Sequence, residues 1–461
     1  MSGRLRERIK PKRISRLAPV WCLALCLLVT PLSACGETST GSVPQITSLP
    51  TSGPANYPVP INPKIAALPP FTLTVWFADD YYNQAPIVDL MKEFKQAYPN
   101  ITIAVDHNEW SKQRNRLKEA VAAGNPPDVA HQHAFVFGAQ GYAEPLDALW
   151  QQWGKDAAAG FLPNSLDDVT WNAAKYGVPL RINTSFLIYN KQMFKDAGLA
   201  EPGPDYNFTR LREDARKLTV ASQGRYGLAL TPGAWDIFGL VSANGGYLLD
   251  TQNGQVTAQL DAAPNVQMLQ FISDLVNNDK VSPTPRFTPE ASPVELFKQS
   301  KIAMFFSGPW DLKEIELRGP AGLYSNVGTA VMPHGIDGKT TGSVQGGGSL
   351  FVPKGAKNRE AAFEFMKWAA APKYQLRLAR EMGRYPVLND LYKDPYFTGQ
   401  TILQPFLEQL KTARLYRLEA YAQADVTWEQ SIGSILNGSD PKAILADAER
   451  AIQPTLNNPR K

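Results

Sequence analysis

The sequence predicts an α/β fold, with sheets flanked by helices, from three observations. Its body opens with a β-α-β-α-β pattern, further strands and helices alternate behind it, and the composition is that of an ordinary globular chain: 44% hydrophobic, 10% aromatic and 20% charged. The 461 residues suffice for two or three domains.

Residues 71–77 alternate as a strand, with Leu73, Val75 and Phe77 on one face, and end at Asp79-Asp80. Ile87, Leu90, Met91, Phe94 and Tyr98 then recur at helical spacing until Pro99-Asn100 stops them. Ile101, Ile103 and Val105 form the next strand. A helix through Leu117 and Val121 ends at Gly124, and residues 128–130 read as a short buried strand. Later strands are expected at 176–179, 186–190, 302–306, 327–331 and 350–353, and helices at 201–220, 264–277, 359–371, 404–410 and 441–452. A hairpin spans 247–256, with Asn253-Gly254 supplying the tight turn. In an open α/β sheet the ligand crevice lies beyond the carboxyl ends of the strands. That rule nominates residues 76–80, including Trp76 and Asp80, then 131–133 and 307–310.

The charge balance needs dividing before it is read. The chain carries 47 Lys+Arg against 43 Asp+Glu, yet seven of the basic side chains and only one acid, Glu7, lie in the first 34 residues. From Cys35 onward the chain is slightly acidic, so no basic surface is left for nucleic acid. Cys22, Cys26 and Cys35 are the only cysteines, which excludes a disulfide or thiolate cluster in the body. The basic start, the uncharged run from Leu17 to Ala34 and the small residues before Cys35 read as a signal peptide over 1–34. Leu32-Ser33-Ala34-Cys35-Gly36 resembles the bacterial lipobox, whose cysteine becomes a lipidated first residue; two or more acyl chains would hold it stably to a membrane. Residues 35–70, rich in Pro, Ser and Thr, then read as a tether without a core.

Enzyme signatures are mostly missing. The sequence has no Gly-x-x-x-x-Gly-Lys phosphate loop, no Gly-x-Ser-x-Gly elbow and no His-Glu-x-x-His. His131 and His133, with His107 and Glu109, have the residue types of a metal site but not its full ligand spacing, and side chains lining a cleft are the simpler reading. Asp79 and Asp80 invite comparison with a glycosidase acid, but crevice-lining or helix-capping acids are the preferred reading. Neither a metal nor a cofactor is expected. Among ten tryptophans, Trp76, Trp110, Trp235 and Trp310 sit at turns or strand ends beside Gly, Pro and Asp. A flat indole suits the apolar face of a sugar ring, and neighbouring polar groups suit its hydroxyls.

The chain resembles the extracellular solute-binding proteins of bacterial ABC importers, in the maltose- and glycerol-3-phosphate-binding branch. The resemblance rests on Val75-Trp76-Phe77, Phe94-Lys-Gln-Ala-Tyr-Pro-Asn-Ile-Thr102, Ala123-Gly-Asn-Pro-Pro-Asp-Val129 and Tyr176-Gly-Val-Pro179. It continues through Ile188-Tyr-Asn-Lys191, Asp196-Ala-Gly-Leu199, Lys301-Ile-Ala-Met-Phe-Phe-Ser-Gly-Pro-Trp310, Gly346-Gly-Gly-Ser-Leu-Phe-Val-Pro-Lys354, Ala361-Ala-Phe-Glu-Phe365 and Gly383-Arg-Tyr-Pro-Val387. It implies two α/β lobes of the type II periplasmic-binding kind that close on a ligand across hinge segments. Lobe one would be 71–181 plus 346–385, and lobe two 184–343 plus 386–455. Family binding positions fall on Trp110, His133, Asn183, Trp235, Ser307, Trp310, Gly346, Gly347, Arg384 and Arg417. Arg384 stands where the glycerol-3-phosphate binders have Tyr, and Trp310 where they have a small polar residue. The indole favours a mono- or oligosaccharide, while Arg384 and Arg417 keep glycerol 3-phosphate, a glycerophosphodiester or an acidic sugar open. The expectation is a non-catalytic, monomeric, lipid-anchored binding subunit at the outer face of the cell membrane, delivering its ligand to a membrane permease. A secreted glycan-active enzyme is the remote alternative.

Overall fold

The structure is a computed structural model that describes residues 59–457, apart from 253, 254, 287, 289 and 290 and the side chain of Asp80. The signal segment, Cys35 and the hairpin's Asn253-Gly254 turn therefore lie outside the described residues.

Strand Phe71–Ala78 pairs in parallel with Ile101–Asn108 on one side and Val129–Gln132 on the other, and helices Ala85–Ala97 and Trp110–Ala122 make the two crossovers. The strand order thus reverses at Phe71–Ala78, so Ala78 and Gln132 open onto a switch-point crevice. Strand Ser343–Phe351 continues this sheet antiparallel to Val129–Gln132, and Gly177–Thr184 pairs with it. The second sheet runs Val327–Ala330, Phe186–Asn190, Ile302–Ser307, Tyr226–Ala229. Strand Phe186–Asn190 is buried throughout and divides its side chains by alternation: Phe186 and Ile188 join the core that holds Leu73, Val75 and Phe94, while Leu187 and Tyr189 join the core of Phe137, Phe351 and Met304.

The chain crosses between the sheets at residues 184–186 and again before Ser343. The crossings are tied by Thr184 Oγ1 donating to the Val344 carbonyl (2.7 Å) and Ser343 Oγ donating to that of Ser185 (2.7 Å). Past Gly383, in the left-handed conformation that ends helix Pro372–Met382, Tyr385 runs beside Ile182 and its carbonyl accepts the Ile182 N–H at 3.0 Å.

Three expectations need correcting. The tether ends before Pro70: Ile65 is buried, the Asn62 N–H donates to Tyr98 Oη (2.8 Å), and Asn100 Nδ2 donates to the Ile65 and Leu68 carbonyls. Ile65 and Val59 pack on the core, and the hydrogen bonds of Asn62 and Asn100 tie the segment to the body. Residues 413–415, assigned to lobe two, form a strand parallel to Ser343–Phe351 at the edge of the first sheet. The strand expected at 350–353 begins at Ser343, because the sheet accepts three glycines that carry no strand preference of their own. The hairpin does form, with Gln252 opposite Gln255. No helix among the described residues is long and apolar enough to cross a membrane.

Candidate functional site

Gly346 and Gly348 lie on the same face of strand Ser343–Phe351, and both are places where a side chain would not fit. A Cβ at Gly346 would stand 2.2 Å from Asn183 Oδ1 and 2.8 Å from the Trp235 ring. One at Gly348 would stand 2.8 Å from His131 Nε2, 3.2 Å from Arg181 Nε and 3.3 Å from the Trp110 ring. Glycine here lets polar and aromatic groups approach a bare backbone. Gly347 faces the other way, toward the Arg181 carbonyl.

Several of these groups are buried without a protein partner: His131 Nε2, Arg181 Nε, Asn183 Oδ1 and, nearby, Arg384 Nε. Unsatisfied buried polar atoms are rare, so their gathering around one strand calls for a reason. His131 is fully buried, set edge-on to Trp110 (5.3 Å) and Tyr81 (4.8 Å), and accepts the Ala78 N–H through Nδ1 at 3.4 Å. Burial, with Arg181 beside it, drives its pKa well below the ordinary value, so it is neutral. Trp110 is placed by Asp79, whose Oδ1 accepts the first N–H of helix Trp110–Ala122 at 2.9 Å. Of the two roles expected of Asp79, crevice-lining or helix-capping, this is a cap on the helix, delivered from another element with Asp79 itself at a positive φ of 57°.

His133 caps a polar chain instead of facing open space. Its Nδ1 contacts Asp168 Oδ1, its Nε2 lies 3.9 Å from Glu419, and Glu419 in turn contacts Arg114, which is 3.1 Å from Asp425. Burial opposes protonation of His133, but the Asp168 and Glu419 carboxylates outweigh it and raise the pKa. His133 thus belongs to a network that seats helix Trp110–Ala122, with its ring 5.0 Å from that of Trp110.

From the second sheet's side come Trp235, in the first turn of helix Ala234–Ala243, and Trp310, in the first turn of Pro309–Arg318; their rings are 6.0 Å apart. Trp235 Nε1 donates to the Gln345 carbonyl at 3.2 Å, tying this helix to the glycine strand. Ser307 Oγ donates to Asp311 Oδ2 at 2.6 Å. Asp311 is pushed up to about 6 and Asp236 to about 7, each mainly by burial, and Asp236 further by the Asp311 charge. Both aspartates directly succeed the tryptophans in sequence, a doubled Trp-Asp signal that sequence reading noticed without assigning.

Two nominated residues stand apart. The Trp76 ring is covered by the Arg116 guanidinium at 3.8 Å and packs on the core. Arg417 is nearly half exposed and 3.7 Å from Asp167. Arg181 was missed, although an arginine inside the apolar run 177–182 is itself unusual. Among the described residues no group of His, Cys, Asp and Glu could hold a metal; His107 is exposed and stacks on Tyr82 at 3.8 Å. A depression of about 540 Å³ lined by Asn207, Arg210 and Asp214 lies elsewhere, and its charges answer each other, Arg210 lying 3.6 Å from Asp214.

Comparison with known proteins agrees with this architecture. Residues 79–376 match the family model described as bacterial extracellular solute-binding protein. The maltotriose-binding protein of Pyrococcus abyssi is 26% identical over 333 residues, 71% of this chain and 68% of that one. The GacH receptor of Streptomyces glaucescens, solved unliganded and with acarbose, superposes with a TM-score of 0.74 at 24% identity, covering 84% of this chain and 98% of that one. UgpB of Mycobacterium tuberculosis, solved with glycerophosphocholine, gives 0.73 at 20% identity over 84% and 98%. These likenesses establish the two-lobed type II periplasmic-binding fold. With its switch-point crevice, its sheets joined by crossing strands and a family match over most of the body, the chain belongs to the bacterial extracellular solute-binding protein family.

Proposed function

We propose that the protein is the capture subunit of an ABC importer for a carbohydrate, held at the outer face of the cell membrane through lipid on Cys35, and that it binds without catalysis. The observation that carries the reading is the convergence of Trp110 and Trp235 with the unpartnered His131 Nε2, Arg181 Nε and Asn183 Oδ1 on the bare face of Gly346 and Gly348. Indole faces cover the C–H side of a pyranose, and partnerless polar atoms in a dry cleft take its hydroxyls. The maltotriose- and acarbose-binding relatives support this ligand class. Asn183 comes from the crossing strand of the first sheet, and Trp235, Ser307 and Trp310 from the second sheet's side, so closure of the lobes would bring these groups together on a ligand, and a permease that recognises the closed form would receive only loaded protein.

The test is a panel of mono- and oligosaccharides read by thermal shift and tryptophan fluorescence. A ligand at a hundred times its Kd should stabilise the fold by about 2.7 kcal/mol. Trp235→Ala should weaken binding of that ligand at least tenfold with the fold intact. No shift with any member of the panel refutes the reading. Cys35→Ala, expressed as the full chain, should move the protein from the membrane to the soluble fraction; retention at the membrane would refute the anchor.

A further inference from the structure

Arg181 lies on strand Gly177–Thr184 with 8% of its surface exposed, and its Nε has no partner. Its guanidinium carbon is 5.1 Å from the centre of the Trp110 ring and 5.7 Å from that of Tyr81. Arg384 reaches the same Tyr81 ring at 5.7 Å, and its Nε too is buried without a partner. Two guanidinium groups therefore approach one aromatic ring, Arg181 buried and Arg384 partly exposed. They feel each other: after burial, the Arg384 charge is among the causes that hold Arg181 below its ordinary pKa.

No carboxylate of the described residues is ion-paired with either arginine. The acids in the neighbourhood act on the arginines only at a distance, Asp79 and Asp168 on Arg181 and Asp311 with Arg384, while their direct hydrogen bonds go elsewhere: Asp79 accepts the Trp110 N–H, Asp168 contacts His133, and Asp311 accepts from Ser307. His131, close to Arg181, is neutral and brings no counter-charge. A buried guanidinium that makes no direct ion pair is unfavourable, and a protein that needed only packing at this point would place an apolar residue there. Two planar forks of N–H donors are suited to an oxyanion, which they can grip bidentately.

We infer that Arg181 and Arg384 form an oxyanion subsite, so that the captured ligand is a polyhydroxylated molecule bearing a carboxylate or a phosphate. This deepens the carbohydrate reading and rests on it for the location of the ligand. Distances along the glycine strand agree: Trp235 stands over Gly346 and Arg181 over Gly348, two residues or roughly 7 Å further on. That is about the span of one pyranose ring, which places a ring against Trp235 and its acidic substituent at the arginines.

The experiment titrates the full chain, calorimetrically, with matched probes: glucose and maltose as neutral members, glucuronate and digalacturonate as carboxylates, glucose 1-phosphate and sn-glycerol 3-phosphate as phosphates. At least one acidic probe should bind tenfold or more tightly than its neutral counterpart, and the carboxylate and phosphate arms identify which oxyanion it is. Arg384→Gln should reduce that preference to threefold or less, and Arg384→Lys, which keeps the charge but loses the fork, should fall between. Arg181→Gln serves as the second variant, accepted only where its melting curve remains cooperative. Neutral sugars binding as tightly as the acids, in a Trp235-dependent way, overturn the subsite and leave carbohydrate capture standing. Arginine-dependent binding of sn-glycerol 3-phosphate with no sugar bound supports the subsite and overturns the carbohydrate reading. Absence of binding by every probe overturns both.

Discussion

Replacing Arg114 by Met tests the polar chain that seats Trp110, and it can be read without knowing the ligand. Arg114 projects from helix Trp110–Ala122 to Glu419 and to Asp425, whose Oδ1 also accepts from Tyr416 Oη at 2.7 Å. The side chains of Arg114, Glu419 and Asp425 are 24%, 9% and 19% exposed. Helix Ala422–Leu436, which begins beside Glu419, is itself bound to the second sheet's helices: Ser273 Oγ donates to the Ile435 carbonyl and Trp428 Nε1 to that of Ala234. Methionine keeps the length of the stem but leaves two carboxylates facing each other. Removing one partner of a fully buried pair costs about 3–5 kcal/mol, and the partial exposure here brings the expected loss to roughly 2–3 kcal/mol. Asp425 already has a raised pKa, mainly from burial and then from Glu419, against which Arg114 acts. Without Arg114 it rises further, so the folded variant takes up protons that the unfolded chain does not and the penalty shrinks as pH falls toward about 5. Urea unfolding of both proteins at pH 8 and pH 5.5 measures this. A loss below about 0.5 kcal/mol at pH 8, or an equal loss at both values, would refute the electrostatic account.

The same geometry sets other outcomes. Gly348→Ala puts a methyl 2.8 Å from His131 Nε2, 3.2 Å from Arg181 Nε and 3.3 Å from the Trp110 ring, so these site groups must yield, and overpacking of about 1–3 kcal/mol should appear as a ligand affinity reduced about 5- to 150-fold, with unchanged affinity by calorimetry refuting it. Gly433→Ala is the opposite case: the site is exposed, inside helix Ala422–Leu436, with nothing within 4 Å of a new Cβ, and should gain about 0.5–1 kcal/mol in urea unfolding, whereas a loss would be inconsistent with that space. His133 has a raised pKa, so the stability it contributes is complete below the unfolded value of about 6.5 and is lost as pH rises through the higher folded value. Asp168→Asn should flatten that alkaline loss in a pH series of melts. His131 has the reverse sign, its contribution being lost as pH falls below about 6.5, and His131→Gln should flatten the acid limb; identical pH profiles in wild type and variants would discount both.

What the sequence disclosed depended on how local the signal was. Helix Pro441–Ile452 was legible to the residue because Asp440 accepts the Ala443 N–H as its cap and Pro441 stands at the first helical position. Strand Phe186–Asn190 was equally clear from its unbroken apolar run. Helix Ala234–Ala243 was not, since it is buried almost all round and so shows no 3.6-residue stripe; only the Pro-Gly-Ala-Trp-Asp that leads into it attracted notice. Trp110 and Trp235 were named because strand ends and tryptophans can be read singly. The chain from His133 through Glu419 to Arg114 could not be, because Arg114 and Glu419 are 305 positions apart and their meeting is a product of the fold.

The two kinds of polar cluster in the molecule differ in a way that locates the function. Around Glu419 every charge has an opposite within reach, with one carboxylate oxygen, Asp168 Oδ2, left buried without a hydrogen bond. Along the glycine strand the reverse holds: three consecutive glycines occupy a buried strand, Asp79 takes a positive φ to hold Trp110, and His131, Arg181 and Asn183 each keep a buried polar atom unpaired. Each choice is unfavourable locally, and stability alone would have replaced them. A ligand that supplies hydroxyls, an apolar ring face and an oxyanion answers all of them together. Its binding energy then grows with what the free cleft leaves unsatisfied, and a neutral, less polar molecule of the same shape is rejected because it leaves Arg181 and Arg384 as they were.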